Sequence, residues 1–174
     1  MILVRTPLRV SFAGGGTDLP AYYQKGEVGA VTNAAIGAYI YVTVGKHWDP
    51  KRIRLSYSKT ENVGTVREIS HELVREAMHH FGAKPGLEIT TIGQIPGKGI
   101  GLGSSSSTTV GIYHALAAHR GMDPSAEWLA EAACMVELTL LKHPGGKQDQ
   151  YAAAFGGINH MTFNPKGRVT VDQI

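Results

Sequence analysis

The chain has 174 residues, which is typical of one domain, and its 43% apolar content argues against a disordered chain. The 17 Lys and Arg residues exceed the 14 Asp and Glu residues by only three and form no basic run, so we expect neither nucleic acid nor an anionic membrane as a partner. The single cysteine, Cys134, excludes an intramolecular disulfide framework, and no apolar run approaches the ~18 residues of a membrane span, so a cytoplasmic location is expected.

The first half of the chain is predicted to be mainly strands. Residues 2–13 predict a strand that enters a turn at Gly14–Gly16, and residues 30–46 contain the β-rich run Tyr39–Val44. Residues 52–57 alternate strictly between apolar and polar side chains, which predicts a third strand.

The second half mixes helices with further strands. The spacing of apolar residues and the positions of Gly and Pro predict these elements in order: a helix over 71–81, a strand over 87–92, helices over 104–119, 124–142 and 148–154, and a hairpin of 158–163 with 169–171. Helices and strands do not alternate regularly, so the predicted fold class is α+β.

Glycine accounts for 22 of the 174 residues and is concentrated in a few turns. The most specific of these is the run Pro96–Thr109, PGKGIGLGSSSSTT, between a predicted strand and a predicted helix. Alternate glycines allow successive N–H groups to point inward, and a helix N-terminus adds unpaired N–H groups and a positive dipole end, so phosphate is the expected ligand. The run matches neither the Walker A nor the Rossmann pattern, and the alternative is a flexible Gly/Ser linker.

Three further groups of residues are candidates for chemistry. Asp149 follows a glycine turn and could accept a hydroxyl proton; otherwise it is a solvated loop carboxylate. Glu137 lies at the edge of an apolar helix stripe, from which it would reach either solvent or a cleft as a Mg²⁺ ligand. Arg9 lies in the first strand and Asp18 follows the first glycine turn, where an unspecialised surface pair is the alternative.

Together these features resemble the GHMP kinases, the family of galactokinase, homoserine kinase and mevalonate kinase. The family phosphate loop P-x-G-x-G-L-G-S-S is similar to Gly99–Ser105, although Pro96 lies one residue further away than in the family. The sugar-site motif R-V-N-L-I-G-E-H-T-D of galactokinases resembles Arg9–Asp18, and Glu137 precedes Asp149 by about a dozen residues, as in the family. The resemblance implies a ribosomal protein S5 domain 2-like fold in which residues 1–174 form the N-terminal, ATP-binding domain and the C-terminal domain of the family is absent.

The resemblance also implies roles for individual residues. Asp149 and Arg9 would be catalytic, and Ser105 and Glu137 would bind Mg²⁺. The residues expected to hold the ATP phosphates are Gly97, Gly99, Gly101, Leu102, Gly103, Ser104, Ser105 and Ser106. The residues expected to bind the substrate are Gly15, Gly16, Thr17, Asp18 and Lys147.

The activity that this resemblance implies is ATP-dependent phosphorylation of a sugar. Within the family, Arg5–Pro20 and Gly146–Gly157 resemble the branch that acts on D-glycero-D-manno-heptose 7-phosphate, which implies transfer to the anomeric hydroxyl to give the 1,7-bisphosphate. A fucokinase-like activity and a nucleotide-binding domain without catalysis are the alternatives. The expected cofactors are ATP and Mg²⁺, and the expected partners are the sugar phosphate and either a C-terminal domain or a second copy of the chain.

Overall fold

The computed structural model describes residues 1–95 and 101–174. Seven strands form one mixed sheet in this part of the chain, in the order β4-β3-β5-β2-β6-β7, with β1 on the other edge of β2. Their bounds are β1 Ile2–Ala13, β2 Gly29–Lys46, β3 Ile53–Ser56, β4 Thr60–Val63, β5 Leu87–Gly93, β6 Ile158–Phe163 and β7 Val169–Gln173. The β3–β5 pair is parallel, and the other pairs are antiparallel.

Strand β2 organises the sheet because its two halves have different neighbours. It pairs with β1 along one edge, while on the other edge residues 40–46 pair with β5 and residues 29–34 pair with β6. The β1–β2 register shifts near the middle, where Pro7 lies opposite Tyr39 but Arg9 lies opposite Ala35. Such irregularities change the direction of nearby side chains, and Arg9 follows this one directly.

The helices pack against the sheet mainly through α3 and α5, which contact β1 and β2. Their bounds are α1 Pro20–Tyr23, α2 Glu72–Phe81, α3 Ser104–His119, α4 Ala126–Cys134 and α5 Gln148–Phe155, with a 3₁₀ turn at Val66–Glu68 and a π-helical segment at Met135–Leu140. Helix α3 packs against β1, β2 and three other helices, and most of its residues are buried. Gly111 allows the close approach, since a Cβ there would lie 2.8 Å from Thr6 Oγ1 and 2.9 Å from Val42 Cγ2.

The α+β prediction is confirmed, and each predicted element is present with bounds shifted by a few residues at most, apart from one subdivision. The helix predicted over 124–142 is divided into α4 and the π-helical segment. The sequence interpretation missed α1, β4 and the 3₁₀ turn, each of which has four residues or fewer. Among the described helices, none is both long and apolar enough to span a membrane.

Candidate functional site

A polar cleft of about 460 Å³ lies where β1, α3, the π-helical segment and α5 meet. Its wall includes the side chains of three acidic residues that are distant in sequence, Asp18, Glu137 and Asp149. Arg9, Gly16, Ser105 and Ser106 also line it. The fold therefore brings together most of the charged residues that the sequence analysis selected.

Arg9 and Asp149 form an ion pair across this cleft. The Arg9 Nε–H donates to Asp149 Oδ1 at 2.7 Å, the second guanidinium nitrogen lies 2.6 Å from the same oxygen, and the third donates to the Gly101 carbonyl at 2.6 Å. Burial raises the pKa of Asp149, and the Arg9 charge opposes that rise. Oδ1 is thus engaged by Arg9, while no described residue donates to Oδ2.

Glu137 is buried in the π-helical segment and faces α3. Its Oε2 accepts a hydrogen bond from Ser106 Oγ at 3.0 Å, but its Oε1 is buried without a hydrogen-bond partner in the described part of the chain. Burial is the main cause of a raised Glu137 pKa. Ser105, the other predicted metal ligand, is exposed on the first turn of α3, and the serine that contacts Glu137 is its neighbour Ser106.

Asp18 is also buried, with 3% of its surface exposed, and main-chain donors occupy its carboxylate. Oδ1 accepts the Gly16 N–H at 3.0 Å, and Oδ2 accepts the Gln148 N–H at 3.2 Å. Gly146 leaves the space for this arrangement, because a Cβ there would lie 1.9 Å from Asp18 Oδ2. Asp18 therefore joins the first glycine turn to the start of α5.

The other predicted substrate residues of the N-terminal turn have different surroundings. The Thr17 hydroxyl lies between the first glycine turn and β2, where its one proton is shared between the carbonyls of Gly14 and Ala30 and its oxygen accepts the Ala30 N–H. Gly15 is exposed, and Gly16 lines the cleft with a left-handed φ of +96°. Of this turn, Gly16 is thus the predicted residue whose main chain borders the cleft.

Lys147 is the predicted substrate residue that the structure does not bring to the cleft. Its ammonium group donates to the Gly167 carbonyl at 2.9 Å and to Glu131 Oε1 at 3.2 Å, on the far side of α5. Tyr151 OH donates to the same Glu131 oxygen, and the two contacts fasten α5 to α4. Sequence reasoning missed this cluster, since nothing in the chain signals that residues 131 and 147 meet.

Part of the predicted phosphate loop, including Gly97 and Gly99, lies outside the described residues. The described part turns into α3 through Gly101 and Gly103, which have φ values of +64° and +73°. The Leu102 carbonyl accepts the Arg9 main-chain N–H at 3.1 Å, which joins this turn to β1. Ser104 and Ser105 begin α3, so their N–H groups are at its positive end.

A second cavity of about 890 Å³ lies on the other side of the α3 N-terminus. Its wall includes Tyr57, His71, Ile95 and Ser104, and Ser105 lines both cavities. Tyr57 and His71 contact each other edge to face, with ring centroids 4.8 Å apart. The sequence analysis did not select either ring, because isolated aromatic residues carry no motif.

Comparison with known proteins adds a family to this geometry. Residues 66–157 match the family model described as the GHMP kinases N terminal domain, which is more than half of the chain. A D-glycero-alpha-D-manno-heptose 7-phosphate kinase from Campylobacter jejuni is 36% identical over 99% of this chain and 54% of its own length.

Solved structures of other kinases are also similar to this chain. The crystal structure of a D-glycero-D-manno-heptose 1-phosphate kinase from Bacteroides thetaiotaomicron has a TM-score of 0.91 and 29% identity over 100% of this chain and 60% of that one. A Streptococcus pneumoniae phosphomevalonate kinase has a TM-score of 0.80 at 20% identity over 100% of this chain and 59% of that one, which is a likeness of fold alone. The chain thus spans little more than half the length of these relatives.

Proposed function

This chain belongs to the GHMP kinase family, as its motifs predicted, and from that membership we propose that it forms the nucleotide- and acceptor-binding part of an ATP-dependent sugar kinase. The observation that carries the proposal is the position of the α3 N-terminus between two cavities that share Ser105. The larger cavity, with its aromatic and apolar wall, suits a nucleoside. The smaller cavity, with its carboxylates, suits a polyhydroxylated acceptor.

The phosphates of ATP would then lie across the first turn of α3. Unpaired N–H groups and the helix dipole favour a dianionic group at this position. Glycine at 101 and 103 suits the left-handed turn that leads into the helix. We include Gly97 and Gly99, outside the described residues, in the same phosphate-binding loop by their spacing in the sequence.

The donor set fits Mg²⁺ bound together with nucleotide. No group of three or more His, Cys, Asp or Glu residues in the described ranges could hold a metal by itself. Mg²⁺ is commonly held by one or two carboxylates together with substrate phosphates, and the unpartnered, buried Oε1 of Glu137 supports such a role. Ser105 or Ser106 would add a hydroxyl, and the ion would neutralise phosphate charge.

Asp149 is proposed to accept the proton of the attacking hydroxyl through Oδ2. Arg9 holds Oδ1 through two contacts and so fixes the direction of the other oxygen. Burial raises the pKa of Asp149 toward the range of a useful base. In this arrangement the protein supplies positioning and charge, which dominate the catalysis of phosphoryl transfer.

For the acceptor we propose D-glycero-D-manno-heptose 7-phosphate, phosphorylated at the anomeric hydroxyl to give the 1,7-bisphosphate. The Campylobacter jejuni relative is a D-glycero-alpha-D-manno-heptose 7-phosphate kinase, which supports this choice. The alternatives are a fucokinase-like activity and a nucleotide-binding domain that has no catalytic activity by itself.

The test is ADP release with Mg-ATP over a panel of D-glycero-D-manno-heptose 7-phosphate, mannose, galactose and fucose. Turnover with the heptose phosphate supports the proposal, and ³¹P NMR of the product identifies the phosphorylated position. Asp149→Asn should lower kcat by at least ~100-fold without loss of ATP binding, whereas Asp123→Asn, at an exposed carboxylate elsewhere, serves as the matched control. Turnover with fucose alone, or ATP binding without any turnover, would favour the corresponding alternative.

A further inference from the structure

We infer that Asp18 is a positioning residue for Asp149, an inference that rests on the proposed function. The buried carboxylate holds the main chain at the start of α5 and so sets the direction of the Asp149 side chain toward Arg9. The resemblance to galactokinases had suggested instead that Asp18 binds sugar hydroxyls. The geometry around Asp18 favours the positioning role.

The first argument is that both oxygens of Asp18 accept hydrogen bonds from the main chain of the protein. Each of its oxygens accepts a main-chain N–H, from Gly16 at 3.0 Å and from Gln148 at 3.2 Å. The Gln148 side-chain amide lies 3.5 Å from Oδ1 as well. Only 3% of the residue is exposed, so these main-chain contacts dominate the surroundings of the carboxylate, although Asp18 also borders the cleft.

The second argument is where these contacts act. Gln148 is the first residue of α5, and its N–H is one of the groups that a helix leaves unpaired at its start. A carboxylate from a residue 130 positions away satisfies it, and α5 has no side-chain N-cap of its own. Because Asp149 is the next residue, the Asp18 contact fixes the main chain immediately before the proposed base.

The third argument is the glycine at 146. A Cβ at this position would lie 1.9 Å from Asp18 Oδ2 and 2.8 Å from the Asp18 carbonyl, so no side chain fits while Asp18 stays in place. Gly146 does not have the left-handed φ that would by itself require glycine. Contact with Asp18 therefore explains the glycine at 146. Two residues near the N-terminus then hold Asp149 in position: Arg9 contacts it directly, and Asp18 acts on it through the main chain.

The test compares Asp18→Asn and Gly146→Ala in the full chain, with Gly145→Ala as the matched control. In Asp18→Asn an NH₂ group faces one of the two N–H donors, and in Gly146→Ala the charge is kept but the carboxylate is displaced. A Cβ at Gly145 makes only an ordinary 3.8 Å contact with Leu138 Cδ2. The structural readout is hydrogen exchange at Arg9 Nε–H, followed by NMR, because this group donates to Asp149.

Both variants should speed Arg9 Nε–H exchange by about 10-fold or more, while Gly145→Ala and the core amides of Val42 and Ile89 keep their wild-type rates. With the heptose phosphate as substrate, both variants should lower kcat by roughly 100-fold, the effect of a displaced catalytic group, and leave the KM for the sugar within about threefold.

Unchanged Arg9 Nε–H exchange would overturn the inference, as would a raised sugar KM with kcat retained, since the latter is the pattern of a residue that binds substrate. If the wild-type chain turns over no sugar, the proposed function fails, and the exchange measurement then decides the role of Asp18 without any need for activity.

Discussion

The Arg9–Asp149 pair allows a quantitative test of the site, because its burial lies between that of an exposed and that of a fully buried ion pair. Exposed ion pairs contribute about 0–1 kcal/mol, whereas removal of one partner from a buried pair costs about 3–5 kcal/mol. Here the side chains are 11% and 26% exposed, and two guanidinium nitrogens lie within 2.7 Å of one oxygen. We therefore expect a coupling free energy of about 2 kcal/mol, close to that of a hydrogen bond to a charged group.

The perturbation is a double-mutant cycle of Arg9→Met and Asp149→Ala. Each single variant leaves a partly buried charge without its partner and should lower the free energy of unfolding by about 2–3 kcal/mol. The double variant removes both charges, so its loss should be smaller than the sum of the single losses by about 2 kcal/mol.

The assay is urea unfolding at neutral pH, at low salt and at high salt. A pair of this burial should keep most of its coupling as the salt concentration rises, because screening acts mainly on exposed charges. A coupling below about 0.5 kcal/mol, or one that vanishes in salt, would refute the reasoning, since it would mean that the pair behaves as an exposed one and does not fix Asp149.

Three further substitutions, one of them with a matched control, test other parts of the site. Glu137→Gln removes a buried charge. Because the pKa of Glu137 is raised above 4.5 in the folded state, the free energy of unfolding of the wild type should fall as the pH rises from about 4.5 through that raised pKa. The variant should lack this fall. In Mg²⁺-free urea unfolding at pH 7 the variant should be as stable as wild type, or more stable by on the order of 1 kcal/mol, and it should lose the Mg²⁺ dependence of turnover. Gly103→Ala should cost about 1–2 kcal/mol for its φ of +73° and also lower kcat, since the new Cβ lies 3.3 Å from Asp149 Oδ2. Gly121→Ala, with open space at φ +74° and outside the site, should show the stability loss alone in the same unfolding assay, and equal losses of kcat would contradict this. Lys147→Met should lower the free energy of unfolding by about 1–2 kcal/mol and leave the sugar KM unchanged, because the ammonium group binds Glu131 and Gly167 outside the cleft; a raised KM would support its predicted role in substrate binding.

Motif spacing predicted which types of residue form the site better than it predicted which of those residues contact each other. Arg9 and Asp149 are 140 residues apart, and only the pairing of β1 with β2 and the packing of α5 against α3 and β1 bring them together. A sequence pattern indicates that a carboxylate and a guanidinium group are present, but a contact between distant residues depends on the whole fold. For the same reason Lys147 was predicted beside the substrate, although the segment before α5 turns its side chain toward α4.

Hydrophobic periodicity is a weak signal in two of the elements, the missed strand β4 and helix α3. Strand β4 alternates between exposed and half-buried residues and has no apolar run, so hydrophobic periodicity gives little signal there. Helix α3, whose predicted bounds of 104–119 agree with the structure, also gives a weak periodic signal, but for the opposite reason. It is buried on nearly all sides, which blurs the contrast between an apolar and a polar face, and its first turn consists of serines.

The hydroxyl run at the start of α3 shows why composition alone could not assign its members. Successive helical residues point about 100° apart, so neighbouring serines face different elements. Ser107 donates to the Pro7 carbonyl of β1, Ser106 donates to Glu137, and Ser105 borders both cavities. The first of these contacts anchors the helix to the sheet, and the second fixes a carboxylate. Ser105 alone of the three is exposed and borders both cavities, so a run that looks uniform in the sequence divides into hydroxyls with three different surroundings.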